Sequence, residues 1–158
     1  MRKKKYTRAP EVMPEGVFEL TVEYRRMLDN QVKVSSAEDV YKFAKEFLYK
    51  GSEQYNEKFF VLFIDRANNI FSWKMVSEGG MSATVCDQRL IFQTALLCHA
   101  SAIICVHNHP SGVVKPSEQD RKITSRLKAS GELLEIQLLD HVIVTTTSFH
   151  SFADDGSI

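Results

Sequence analysis

Apolar positions change their period along the chain, and each change marks an element. In SSAEDVYKFAKEFLYKG (35–51), Val40, Phe43, Ala44 and Phe47 recur at helical spacing behind Ser36, a good N-cap residue, and Gly51 follows as a stop. KFFVLFID (58–65) is short, almost wholly apolar and rich in β-formers, which predicts a strand buried on both faces. Asp65 to Asn69 read as a turn and IFSWKMV (70–76) as the returning partner, a hairpin with a five-residue loop. SEGGMSAT (77–84) reads as loop. In DQRLIFQTALLCHA (87–100), Leu90, Ile91, Thr94, Ala95, Leu97 and Cys98 fall on one broad helical face. SAIICV (101–106) is another fully apolar strand. SEQDRKITSRLKASG (117–131) predicts a helix capped by Ser117 and stopped by Gly131, and LLEIQLLDHVIVTTT with FHSFA supplies closing strands. Strands alternate with helices, so the expected fold class is α/β, a mixed central β-sheet flanked by helices.

The first 34 residues read differently, as an extension ahead of a single domain over 35–158. They hold the basic cluster Arg2, Lys3, Lys4, Lys5 and Arg8, then Pro10, Pro14 and Gly16, and a short alternation in VFELTVEYRRM compatible with a strand. Such a cluster can contact nucleic acid, but more often it is a solvated terminus. Elsewhere charge says little: 20 basic and 20 acidic residues cancel, which points to no polyanion partner. No apolar run approaches the ~20 residues of a membrane span, and no basic-then-apolar leader opens the chain, so no membrane partner is expected. The three cysteines, Cys86, Cys98 and Cys105, form no CxxC pair and cannot all be paired with one another, which suits a reducing, cytoplasmic interior. Cys98 and Cys105, set among Leu, Ala and Ile, read as small core residues.

The chemistry concentrates in HNHPSGVVKPSEQD (107–120). His107 and His109 are two apart, so on an extended strand both imidazoles leave the same face and Asn108 leaves the other. Pro110 bars the next ladder hydrogen bond and ends the strand, leaving the pair at the sheet's edge. Two imidazoles side by side form a bidentate metal clamp, and catalytic zinc takes a third protein ligand while keeping a position for water. Asp120, in the first turn of the following helix, is the candidate third ligand. Ser117-x-x-Asp120 is equally close to a capping box, in which Asp120 only holds backbone. HNH nucleases share the letters His-Asn-His, but spread over a ββα unit. Zinc deaminases need His-x-Glu with Pro-Cys-x-x-Cys, and the chain has neither.

HNHPSGVVKPSEQD resembles the His-x-His, seven residues, Ser-x-x-Asp motif of the JAMM, or MPN-plus, metalloprotease domains, and the long form with LLDHVIV downstream is similar to the RadC family within them. The resemblance covers about residues 36–158 and implies a single JAMM/MPN-like domain of the cytidine deaminase-like kind. It implies that His107, His109 and Asp120 bind Zn²⁺, that Ser117 helps hold the oxyanion, and that an upstream glutamate is the general base. Glu57, just before KFFVLFID, matches that glutamate; Glu53 is the alternative further from the strand. Asp140-His141 belongs to the family pattern, as a pair orienting a ligand or, the favoured reading, as a buried structural pair. The longer RadC-like chains carry an N-terminal helix-hairpin-helix for which the first 34 residues leave no room, so only the basic terminus speaks for DNA. The implied function is a zinc-dependent hydrolase cleaving peptide or isopeptide-like amide bonds of an unidentified peptide or protein substrate. The alternative is a non-catalytic, zinc-stabilised DNA-associated module.

Overall fold

The structure, a computed structural model, describes residues 32–79 and 86–158; the basic cluster, the alternation at 17–27 and most of the 77–84 stretch lie outside them. In chain order the elements are β1 (Val32–Lys33), α1 (Ala37–Phe43) running into a π-helical turn (Ala44–Tyr49), β2 (Glu57–Ile64), β3 (Asn69–Gly79), α2 (Gln88–Leu97), β4 (Ala102–Asn108), α3 (Glu118–Leu134), β5 (Gln137–Val144) and β6 (Phe149–Ser151). The strands make one sheet in the order β1-β3-β2-β4-β5-β6, antiparallel except for the parallel pair β4–β5. The expected α/β class and the hairpin of β2 with β3 are both present.

The sheet's two faces bury different cores. Phe60, Leu62, Ile64, Ile104, Val106, Val142 and Val144 pack with Val40, Phe43 and Tyr49 on the α1 side. The alternate residues Phe59, Val61, Phe63, Ile103, Cys105 and Leu138 pack with Ile91, Phe92 and Ala95 of α2 and Leu127 of α3. β4 is buried along its whole length, which is why SAIICV reads as an unbroken apolar run. Cys98 and Cys105 are core residues as expected, and the cysteines are free.

Three expectations about the helices need correction. Ser36 caps α1, in a capping box with Asp39, but the helix widens into the π-turn, whose extra residue turns Leu48 and Tyr49 inward and leaves Phe47 half-buried. In α2, Leu90 and Leu97 face solvent, while Ile91, Phe92 and Ala95 carry the burial. At about 100° per residue, 91, 95 and 98 share a stripe from whose middle 90 and 97 lie more than a quarter-turn away. Gly131 does not stop α3, which continues to Leu134 and ends at Glu135 in the left-handed region (φ 56°). Its lack of a side chain serves a close approach instead: a Cβ on Gly131 would run into the carbonyl oxygen of Ile136. Gly131→Ala therefore gains ~1 kcal/mol of helix propensity but incurs an overpacking cost of ~1–3 kcal/mol. A lower urea midpoint is the expected result.

Candidate metal centre

The site forms where β4 runs out. β4 lies in the middle of the sheet, so the histidine pair is at the end of a central strand and not at a side edge, a correction to the expected placement. The ladder's last contribution is the His109 N–H, donated to the Val144 carbonyl at 3.0 Å, after which Pro110 has no N–H to offer. His107 and His109 do share a face: their Nε2 atoms are 3.0 Å apart. The loop to α3 brings back Asp120, whose Oδ1 lies 3.2 Å from His107 Nε2 and whose Oδ2 lies 3.5 Å from His109 Nε2. Ligand atoms of the three residues fall within 4.8 Å of one another, and among the described residues this is the group of His, Cys, Asp and Glu that can hold a metal ion. Cys105, two residues back on the same face, stays in the core and outside that group.

Hydrogen-bond partners fix where the imidazole protons are. The Asp120 backbone carbonyl can only accept, so Thr124 Oγ1, 2.7 Å away, donates to it. Thr124 Oγ1 therefore accepts from His141 Nδ1 at 2.6 Å, and His141 Nε2 in turn accepts from His107 Nδ1 at 2.8 Å. His109 Nδ1 donates to the Val113 carbonyl at 2.7 Å. The rings of His107 and His109, when neutral, thus carry their protons on Nδ1, turned away from the centre, and present bare Nε2 atoms toward it. With both rings neutral, two nitrogen lone pairs and a carboxylate face one another at 3.0–3.5 Å with no hydrogen between them, an arrangement that either an added proton or a metal cation relieves. The donor set of two imidazoles and one carboxylate fits a divalent transition metal.

Electrostatics follow the same geometry. Hydrogen bonding to Asp120 raises the His109 pKa against the opposing effect of burial. Burial alone would push Asp120 up, but hydrogen bonds from His107 and His109 hold its carboxyl well below the usual range. Burial, then the neighbouring His107, drives His141 well down, so it stays neutral and can serve as the acceptor that the proton chain requires.

Asp120 forms the capping box and also stands in the group that can hold a metal ion. Its Oδ2 accepts from the Ser117 N–H at 2.7 Å and from Ser117 Oγ at 2.6 Å, while the Asp120 N–H donates to Ser117 Oγ at 3.1 Å, a complete capping box. The Ser117 hydroxyl is thereby held against the carboxylate. Glu57 opens β2; two residues on, Phe59 pairs with His107 across the ladder and stacks on its ring at 5.8 Å. Strand alternation thus gives Glu57 the same sheet face as His107 and His109. The Glu53 carboxylate is buried and ion-paired with Lys45 Nζ at 2.8 Å.

Asp140 and His141 divide between the sheet's faces. His141 orients His107, whereas Asp140 accepts from the His141 and Ala153 N–H groups and from Ser151 Oγ, bracing the chain after β6. Both residues are buried, as the favoured reading has it, but they face opposite ways because adjacent strand residues do, so that only His141 meets a histidine of the candidate metal group. Thr124 carries no sequence expectation at all; its only local trace is the i, i+4 spacing from Asp120 along α3. Thr124→Val keeps the shape but leaves the buried His141 N–H without its acceptor. An expected tenfold to hundredfold loss of metal affinity, typical of outer-shell partners, is measurable by competition with a chromophoric chelator.

A mixed sheet that ends a central strand in His-x-His and opens the next helix with Ser-x-x-Asp defines a JAB/MPN-type domain. The chain belongs to the RadC family: the RadC-like JAB domain model matches residues 34–157. Among curated relatives, a UPF0758 protein of Flavobacterium johnsoniae is 38% identical over 124 residues, 78% of this chain and 53% of the relative. One from Chlorobaculum parvum is 41% identical over 139 residues, 88% of this chain and 61% of the relative. A third, from Thermotoga maritima, is 37% identical over 126 residues, 80% of this chain and 55% of the relative. The chain thus spans 53% to 61% of the length of these relatives. Among the described residues no helix is long and apolar enough to cross a membrane.

Proposed function

We propose that the domain is a zinc-dependent metallohydrolase that cleaves peptide or isopeptide-like amide bonds in a protein or peptide substrate of the cytoplasm. The observation that carries this reading is the convergence of three lone-pair donors, two of them imidazoles whose Nδ1 protons are tied outward. His107, His109 and Asp120 would hold the zinc; three protein ligands are the usual set of a catalytic site, and a structural site is closed by four. When bound, zinc supplies Lewis acidity and lowers the pKa of a water to about 7.

The chain's own groups do the rest. Glu57 takes the proton of the attacking water and returns it to the leaving amine, the service of a general base that becomes a general acid. Ser117 Oγ turns its hydrogen from Asp120 Oδ2 to the carbonyl oxygen of the substrate as negative charge develops there. Thr124 and His141 keep the His107 lone pair aimed at the centre through both steps.

The test is metal content together with metal-dependent turnover. The purified chain is expected to hold close to one zinc, and hydrolysis of some member of a panel of peptide and isopeptide-linked conjugates should vanish with a chelator and return with zinc. A folded protein that takes up no zinc defeats the proposal. So does a zinc–sulfur distance near ~2.3 Å in X-ray absorption, which would mark a closed, structural site.

A further inference from the structure

Asn108 has no part in that chemistry, although it stands between the two histidines. Strand alternation sends its side chain to the opposite face, where it is fully buried. Its amide is heavily used there. Oδ1 accepts from the Lys58 N–H at 2.7 Å, and Nδ2 donates to the carbonyls of Asn56 at 2.8 Å and Glu53 at 2.7 Å. Asn56 and Lys58 are the two neighbours of Glu57.

The reason for this grip lies in the ladder. Pairing between β2 and β4 ends at Phe59 with His107, so the next residues, Lys58 and Asn108, form no backbone pair. A buried peptide group left unpaired there would cost ~1–3 kcal/mol. The side-chain amide of Asn108 has the donors and acceptor of a peptide group, and it continues the pairing past the end of the ladder. Backbone on both sides of Glu57 is thereby bonded to the residue that separates the two metal-binding histidines. Other contacts stiffen the same segment: Tyr49 Oη donates to the Lys58 carbonyl at 3.2 Å, and Lys58 Nζ lies 3.5 Å from Glu78.

We propose that Asn108 is the positioning residue of Glu57, fixing the glutamate's backbone relative to His107 and His109 so that base and metal ligands move as one unit. The proposal rests on the reading of Glu57 as the base. Asn108 itself touches neither substrate nor metal. It acts through the placement of Glu57, and misplacement of a catalytic group by about 1 Å can cost 10²-fold in rate.

The experiment uses the zinc-loaded chain and four variants: Asn108→Ala, Asn108→Ser, Glu57→Gln and the double variant Asn108→Ala/Glu57→Gln. Three readouts are taken on each: zinc content, backbone amide exchange over residues 52–58, and kcat with KM. For Asn108→Ala the zinc stays, exchange at Lys58 and its neighbours accelerates, and kcat falls by about 10- to 100-fold with KM little changed. In the Glu57→Gln background the same change lowers kcat no further. Asn108→Ser, which replaces the carboxamide with a shorter neutral hydroxyl, gives the same readouts if Asn108→Ala does not fold. Unchanged exchange over 52–58 overturns the proposal, and so does an equal further loss of kcat in the Glu57→Gln background, which would mark a general structural staple. If Glu57→Gln turns over at the wild-type rate, the base assignment falls by itself, and the exchange data still decide whether Asn108 clamps the segment.

Discussion

Glu57→Gln is expected to retain its zinc and to lose about 10²–10⁴-fold in kcat, the range typical of general acid–base catalysis. The magnitude follows from what an amide cannot do: it has no basic oxygen of comparable strength to take the water's proton and none to return to the leaving amine. The retained zinc follows from geometry, because Glu57 begins β2 while the metal-binding group is made by β4 and α3. Gln nearly preserves shape, so the melting temperature should scarcely move. Turnover on the conjugate panel and metal analysis of the same sample separate the outcomes. A wild-type rate would move the base elsewhere, and loss of zinc would make Glu57 a ligand.

His109→Ala is expected to release most of the metal and with it all metal-dependent turnover. His109 offers one of the three ligand atoms, and its ring is held by a single outward hydrogen bond to Val113. If the ~10–16 kcal/mol of a four-ligand zinc site is divided among its ligands, each is worth about 3 kcal/mol, more than two orders of magnitude in affinity. The fold should survive, because Asp120 keeps its bonds to Ser117 and His107 keeps its bond to His141. The melting temperature of the zinc-loaded sample should fall toward that of the chelator-treated protein, since a metal bound only by the native state stabilises it by mass action. Full zinc occupancy in this variant would remove His109 from the ligand set.

The sequence made most elements legible wherever one residue's fate depends on near neighbours. Same-face placement of His107 and His109 follows from a strand period of two. Ser36 and Ser117 as caps follow from local hydrogen bonding. Long-range partners left no such trace. Thr124 meets His141 17 residues away, and Asn108 meets Lys58 at a separation of 50, so neither bond has a spacing from which to read it. The exposed Leu90 and Leu97 misled because apolar residues on a surface are ordinary, and a helix that covers a sheet buries only one stripe. Gly131 misled because a glycine that ends a helix and one that admits a neighbouring backbone look alike in sequence.

That Asp120 both caps α3 and stands in the group that can hold a metal bears on how such sequences drift. A descendant relieved of its metal would be left with buried imidazole lone pairs aimed at a carboxylate, and substitutions of His107 or His109 would ease that conflict. Asp120 stands in the same conflict, but substituting it would also open the start of α3, which it closes with Ser117 in a cap of the kind worth roughly 1 kcal/mol. The Ser-x-x-Asp half of the pattern should therefore outlast the His-x-His half. In related chains, an intact aspartate says that the helix begins there, and only the histidines report whether the metal centre has been kept.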